Sequence, residues 1–186
     1  MTSVTEFVLI RHAPVAGVTG LTGRRDVAAV LPDAGALAAV RAAAGPVGRV
    51  LVSPARRCRD TAAALFPGMA AAEDARLWEQ DFGAWEGAVP PDLGPLPRAA
   101  LASHAPPGGE SFADLCARLA PALTGAAQGG RVAVVAHAGT VRGALALALD
   151  SPAAALAFEV APLSLSLVRA FPGPVWSIGY VNRIAG

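Results

Sequence analysis

The chain has 186 residues and a mass of 18.6 kDa. One domain of that length buries about two-thirds of its unfolded surface, so a core needs no disulfide or metal staple. Apolar residues make up 54% and charged residues 16%, which argues against intrinsic disorder. Net charge is +1, and the 15 basic residues form no block or stripe, so a nucleic-acid partner is not indicated.

All 15 basic residues are Arg and 44 residues are Ala, a pattern best read as GC-rich coding bias. Arg in place of Lys therefore carries little weight by itself. Cys58 and Cys116 lack metal-ligand spacing and read as packing groups. The start MTSVTEF has no positive n-region, which makes a reducing cytoplasm the expected compartment. The apolar stretch from Val132 to Leu149 is interrupted by His137 and Arg142, so no membrane partner is expected.

In chain order, Phe7 to Ile10 is a short continuous apolar run, read as a buried strand ending at Arg11-His12. Thr19 to Pro32 reads as loop. Ala34 to Ala44 has helical spacing and stops at Gly45-Pro46. Arg49 to Ser53 is a second buried strand, followed after Pro54 by a helix over Ala55–Phe66. Ala88 to Gly109 is dense in Pro and Gly and reads as an irregular surface excursion. Glu110 to Ala127 has helical spacing, Arg131 to Ala136 is a third strand, and Gly139 to Leu149 a helix. Leu163–Ala170 and Val175–Val181 form a closing pair of strands. Alternating strands and helices with continuous apolar strands predict an α/β fold with a mainly parallel sheet.

Three strands end in polar residues: Arg11-His12, Ser53 with Arg56 and Arg57 beyond it, and His137. Ligands of open α/β sheets gather at the carboxyl ends of strands. Imidazoles and guanidinium groups delivered to one crevice repel one another unless an anion joins them, and guanidinium forks suit phosphate oxygens. A helix starting near Gly139 adds backbone donors.

These residues carry a resemblance. VLIRHAP, SPARRCRDTA, RLWEQDFGAWEG, GGESFADL and VVAHAGTVRGAL follow one another in the order of the motifs of the histidine phosphatase superfamily, phosphoglycerate-mutase-like branch. The resemblance spans Phe7 to about Leu149. It implies a three-layer α/β sandwich of phosphoglycerate-mutase-like form. It implies His12 as the nucleophile that becomes phosphohistidine, with Arg11 and Arg57 on the phosphate oxygens. His137 contacts and positions the phosphoryl group, and Glu79 is the acid that protonates the leaving oxygen. No cofactor and no metal are implied; the partner is a small phosphorylated metabolite. The chain departs from the family pattern at Ala13 and Ala138, where glycines are usual, and at Pro14; the added methyls are expected to narrow the backbone approach.

Blander readings stand beside these. Arg57 could form a helix-surface ion pair with Asp60. Glu86 and Asp81 rival Glu79. Arg24, Arg25 and Glu110 are possible substrate contacts, although Glu110 serves equally well to cap the helix that follows it. Trp85 reads as core or pocket wall, and His104 as surface. The stretch 88–109 is taken as the substrate cover of a single domain spanning residues 1–186. A short cover favours hydrolysis over a mutase, and FGAWEG with the closing VNRIAG resembles alpha-ribazole phosphatases of cobalamin assembly. Alternatives are phosphoglycerate-mutase-type transfer, a protein phosphatase, or an inactive phosphate-binding module. The sequence leaves the oligomeric state open, a homodimer included.

Overall fold

The computed structural model describes residues 3–17 and 20–186. In chain order the elements are β1 (Thr5–Arg11), α1 (Ala34–Ala44), β2 (Arg49–Val52), α2 (Arg56–Leu65) and β3 (Ala71–Glu73). These are followed by α3 (Arg98–Ser103), α4 (Phe112–Ala126), β4 (Gly130–Ala136), α5 (Ala138–Leu149) and α6 (Pro152–Ala155). The chain closes with β5 (Leu165–Ala170) and β6 (Trp176–Arg183). The strands form one sheet in the order β3-β2-β4-β1-β5-β6. Strands β3, β2, β4 and β1 are parallel, while β5 and β6 are antiparallel additions at one edge. This is the three-layer, mainly parallel architecture that the sequence predicts.

The continuous apolar runs have a simple cause: both faces of the sheet are covered. Successive side chains of a strand point to opposite faces. Phe7 and Leu9 of β1 join Val132 and Val134 of β4 on one face, against Leu115, Leu119 and Leu123 of α4 and Leu145 of α5. Val8, Ile10, Ala133 and Val135 face the other way, onto Val40 of α1 and Cys58 and Leu65 of α2. Helix α4 starts at a capping box: Ser111 Oγ accepts from the Asp114 N–H, and Asp114 Oδ2 accepts from the Ser111 N–H. The cap is therefore Ser111, not Glu110. Helices α4 and α5 approach closely because Gly143 has no side chain; a Cβ there would stand 2.7 Å from Leu119 Cδ2.

Three elements were not visible in the sequence. Strand β3 is three exposed residues at the sheet edge, Ala-Ala-Glu, with no apolar pattern. Helix α6 is a single turn. Helix α3 lies inside the stretch read as wholly irregular: after Pro97, the run Arg-Ala-Ala-Leu-Ala-Ser is built mostly of strong helix formers. The loop expected over Thr19–Pro32 is irregular from Gly20 onward, and Thr19 lies outside the described residues. Among the described residues no helix is long and apolar enough to cross a membrane.

Leu119 is 1% exposed at the contact of α4 with α5. Leu119→Ala is expected to lower stability by about 2–5 kcal/mol through a residual cavity, measured by urea denaturation.

Candidate active site

The register of the sheet fixes the site. Ile10, Val135 and Val52 stand side by side across β1, β4 and β2. The residues just beyond therefore emerge from one level of the carboxyl edge: His12 after β1, His137 after β4 and Ser53 after β2. The His12 N–H donates to the Ala136 carbonyl at 2.8 Å and the Ser53 N–H to the Val135 carbonyl at 3.1 Å, so the ladder continues to the site itself. The two imidazole rings meet edge to face with centroids 5.3 Å apart.

Arg57 joins them. It lies in the first turn of α2 and is 1% exposed. Its Nε donates to His12 Nε2 at 3.3 Å and its Nη2 to His137 Nδ1 at 3.2 Å. Nη1 donates to the Arg25 carbonyl, and Nη2 also to the carbonyls of Thr22 and Gly23. The expected alternative, an ion pair with Asp60, is formed instead by the neighbouring Arg56, at 3.7 Å.

A guanidinium only donates, so both imidazole nitrogens that face Arg57 carry lone pairs. This sets the tautomers. His12 Nδ1–H donates to the Ala13 carbonyl at 2.7 Å, leaving Nε2 as the basic nitrogen. His137 Nε2–H donates to Ser53 Oγ at 2.8 Å. Burial pushes the His12 imidazole down to about 4, with Arg57 and Arg11 adding to the effect and the Ala13 carbonyl opposing it. Burial, then Arg57, also hold His137 well below its ordinary value. Both rings are therefore neutral at pH 7. Burial raises the thiol of Cys58, whose Sγ packs 3.5 Å from His137 Nε2, so it is an unionised packing group as expected.

A cavity of about 440 Å³ opens over this cluster. Arg11, His12, Arg57 and Glu79 line it together. Arg11 Nη1 donates to the Val160 carbonyl at 2.6 Å, while its Nε is buried with no partner. An orphaned buried donor is costly unless something accepts from it. Glu79 is held at the start of α5: its Oε2 accepts from the Gly139 N–H at 3.2 Å and its Oε1 from the Gln80 N–H at 3.0 Å. Its rivals are occupied elsewhere. Glu86 Oε1 accepts from the Arg24 and Phe82 N–H groups, and Asp81 Oδ1 from the Gly83 N–H.

His137 is fully buried with both ring nitrogens bonded to protein, and it is not among the residues that line the cavity. Glu110, Arg24 and Arg25 do not line the cavity. Glu110 pairs with Arg118 and, at 3.6 Å, with Arg24, whose guanidinium lies 5.7 Å from the Trp78 ring. Arg25 contributes its carbonyl to Arg57. Ala13 is wholly buried, donates to Thr61 Oγ1 at 3.0 Å and does not narrow the cavity; Ala138 does line it. His104 is not plain surface but stacks on Trp85 at 5.5 Å.

One lining residue escaped the sequence reading. Arg142 of α5 borders the cavity, anchored by its Nε to the Phe158 carbonyl at 2.8 Å. Its signal was available: residues four apart share a helix face, so Arg142 follows Ala138 into the site. Among the described lining residues, three guanidinium groups face a single carboxylate. With neutral imidazoles, the cavity carries a net charge that suits a dianion.

The sequence profile described as histidine phosphatase superfamily (branch 1) matches residues 7–182. No curated protein sequence matches the chain. Among solved structures, the one titled "Mycobacterial hydrolase 1" is 25% identical, with a TM-score of 0.84 over 98% of this chain and 100% of its own. A mycobacterial glucosyl-3-phosphoglycerate phosphatase complexed with VO3 is 25% identical, with a TM-score of 0.79 over 96% of this chain and 98% of its own. The alpha-ribazole phosphatase of Shigella flexneri shares the fold at 19% identity, with a TM-score of 0.78 over 97% of both chains.

Two outcomes follow from the geometry. A Cβ on Gly139 would stand 2.0 Å from Glu79 Oε1. Gly139→Ala should displace that carboxylate and reduce kcat on a phosphomonoester by about 10²-fold, with an unchanged circular dichroism spectrum. The two buried neutral imidazoles also couple folding to pH. Between the ordinary value of 6.5 and about 4 the unfolded chain binds protons that the folded chain refuses. Their contribution to stability is full above pH 6.5 and is lost as pH falls toward 4. The urea midpoint should fall over that window, and fall less in the His12→Asn variant.

Proposed function

The chain belongs to the histidine phosphatase superfamily, branch 1, and we propose that it hydrolyses a small phosphomonoester through a phosphohistidine on His12. The observation that carries this reading is the His12 tautomer: Nδ1–H is tied to the Ala13 carbonyl, so the basic Nε2 belongs to a ring that lines the cavity together with Arg11 and Glu79. A neutral imidazole with a free lone pair is a competent nucleophile near pH 7.

In the first step the Nε2 lone pair attacks phosphorus and the P–O ester bond breaks. The proton of the Glu79 carboxyl passes to the leaving oxygen, releasing an alcohol and leaving Glu79 ionised. In the second step a water attacks the phosphohistidine, its proton returns to Glu79, and the P–N bond breaks to restore the lone pair. Charge gathers on the equatorial phosphoryl oxygens in a loose transition state. Arg11, the remaining Nη1–H of Arg57 and Arg142 supply the compensating charge, so the mechanism calls on no metal. His137 acts as a positioning residue: with Ser53 behind it, it holds the guanidinium of Arg57.

Hydrolysis is favoured over mutase transfer because no residue of the short segment 88–109 lines the cavity that holds His12, which leaves room for water to reach the intermediate. Alpha-ribazole phosphate is the specific substrate that the sequence resemblance supplies. The test is a panel of phosphomonoesters with a chelator present. Hydrolysis should persist, a phosphoryl group should be trapped on His12 by a denaturing alkaline quench, vanadate should inhibit, and His12→Ala should abolish turnover. Full turnover by His12→Ala would refute the reading. Isomerisation of 3-phosphoglycerate with a bisphosphate primer would replace it by the mutase.

A further inference from the structure

A second cavity of about 260 Å³ adjoins the first. The two share wall residues, among them Phe82, Phe112 and Arg142, so a ligand can occupy both at once. Their chemistry differs. The first is lined by guanidinium groups, imidazole and a carboxylate. The second is walled mainly by Phe82, Trp85, Leu93, Leu101 and Pro106, and no carboxylate lines it among the described residues. Its polar members are largely engaged. Gln80 Nε2 donates to the Glu110 carbonyl at 2.8 Å, Arg142 Nε donates to the Phe158 carbonyl, and His104 lies flat on Trp85 with 19° between the ring planes.

From this we infer that the second cavity is the leaving-group subsite, and that the substrate is a phosphomonoester whose alcohol carries an uncharged, flat apolar body, such as an aromatic ring system. The inference rests on the phosphatase reading and adds the substrate class. The phosphoryl group sits over His12 and the ester oxygen crosses at Arg142. The body leaves water against Trp85 and the leucines. A sugar-like or acidic alcohol with no apolar body gains nothing there, because hydroxyl and carboxylate groups lose water and find almost no partners. Pro90 and Pro91 have fixed φ angles and Trp85 and Phe82 have few rotatable bonds, so these walls lose little conformational entropy on binding.

The test compares three esters whose leaving groups are all alkyl alcohols: ethyl phosphate, 3-phosphoglycerate and 2-(1-naphthyl)ethyl phosphate. The naphthyl ester should exceed ethyl phosphate in kcat/KM by at least about 10-fold. Leu101 is 41% exposed although it lines the cavity, so Leu101→Asp should fold normally. That variant should lose the preference, its naphthyl-to-ethyl ratio of kcat/KM falling toward one; Leu93→Asp provides the same comparison outside α3. Equal rates on all three esters, or a preference for 3-phosphoglycerate, would overturn the inference while leaving the phosphatase reading intact. A separate readout covers the reverse case. If no ester is hydrolysed, calorimetric binding of 2-(1-naphthyl)ethylphosphonate to the wild type, weakened at least about 10-fold in Leu101→Asp, sustains the subsite. Equal binding by both proteins overturns it.

Discussion

The buried guanidinium of Arg57 is the interaction on which the site depends. A cation taken out of water is expensive unless its donors are all satisfied. Here three carbonyls from the loop Thr22–Arg25 and the lone pairs of two imidazoles meet that need for all but one Nη1–H. The exchange is mutual. The loop is pinned over the start of α2, each imidazole is fixed in one tautomer, and both rings are kept neutral. Removing Arg57 would release a loop, two tautomers and a charge at once. Thr61 extends the same joint: its hydroxyl accepts from the Ala13 N–H and donates to the Arg57 carbonyl, so the turn after β1 is bolted to α2.

That joint works because the sheet is parallel at its centre. Strands β1, β4 and β2 all point their carboxyl ends the same way, and their register is level where they stop. Residues distant in sequence thus arrive within hydrogen-bond reach without any long loop having to carry them. Glu79 is the exception, since no sheet strand delivers it. It follows the turn Ala75–Leu77 and is seated by the first backbone N–H groups of α5, at a place where only a glycine leaves room for its carboxylate.

This division explains what could be read from the sequence. Strands buried on both faces announce themselves as continuous apolar runs, and the polar residues that end them mark the site, so His12, Arg57 and His137 were legible. Their motifs also singled out Glu79. The surroundings of Arg24, Arg25 and Glu110 are not legible, because a charged residue beside a loop motif looks the same whether it faces a ligand or another side chain. Only the fold shows that Arg118 pairs with Glu110 and that Arg24 lies over Trp78. Helix α3 was hidden by the density of Pro and Gly around it. Arg142 is hidden for the opposite reason: it sits within an unambiguous helix, where a lone charge reads as an interruption of the apolar stretch from Val132 to Leu149.

The contact that restrains His12 also bears on the proposed reaction. In that mechanism the attacking nitrogen is the one to which Arg57 Nε donates, at 3.3 Å, long for a bond to a charged donor. A cation at that position opposes protonation of the ring, which agrees with the depressed imidazole. It does not transfer its own proton, because a guanidinium stays charged in proteins. An arriving phosphoryl group offers the same N–H a better acceptor in its anionic oxygens. The hydrogen bond can then pass from the imidazole to the substrate as the lone pair meets phosphorus. One group thus guards the nucleophile before binding and stabilises the charge that develops afterwards. For that exchange the guanidinium must be anchored from behind, which is the task His137, Ser53 and the loop carbonyls perform.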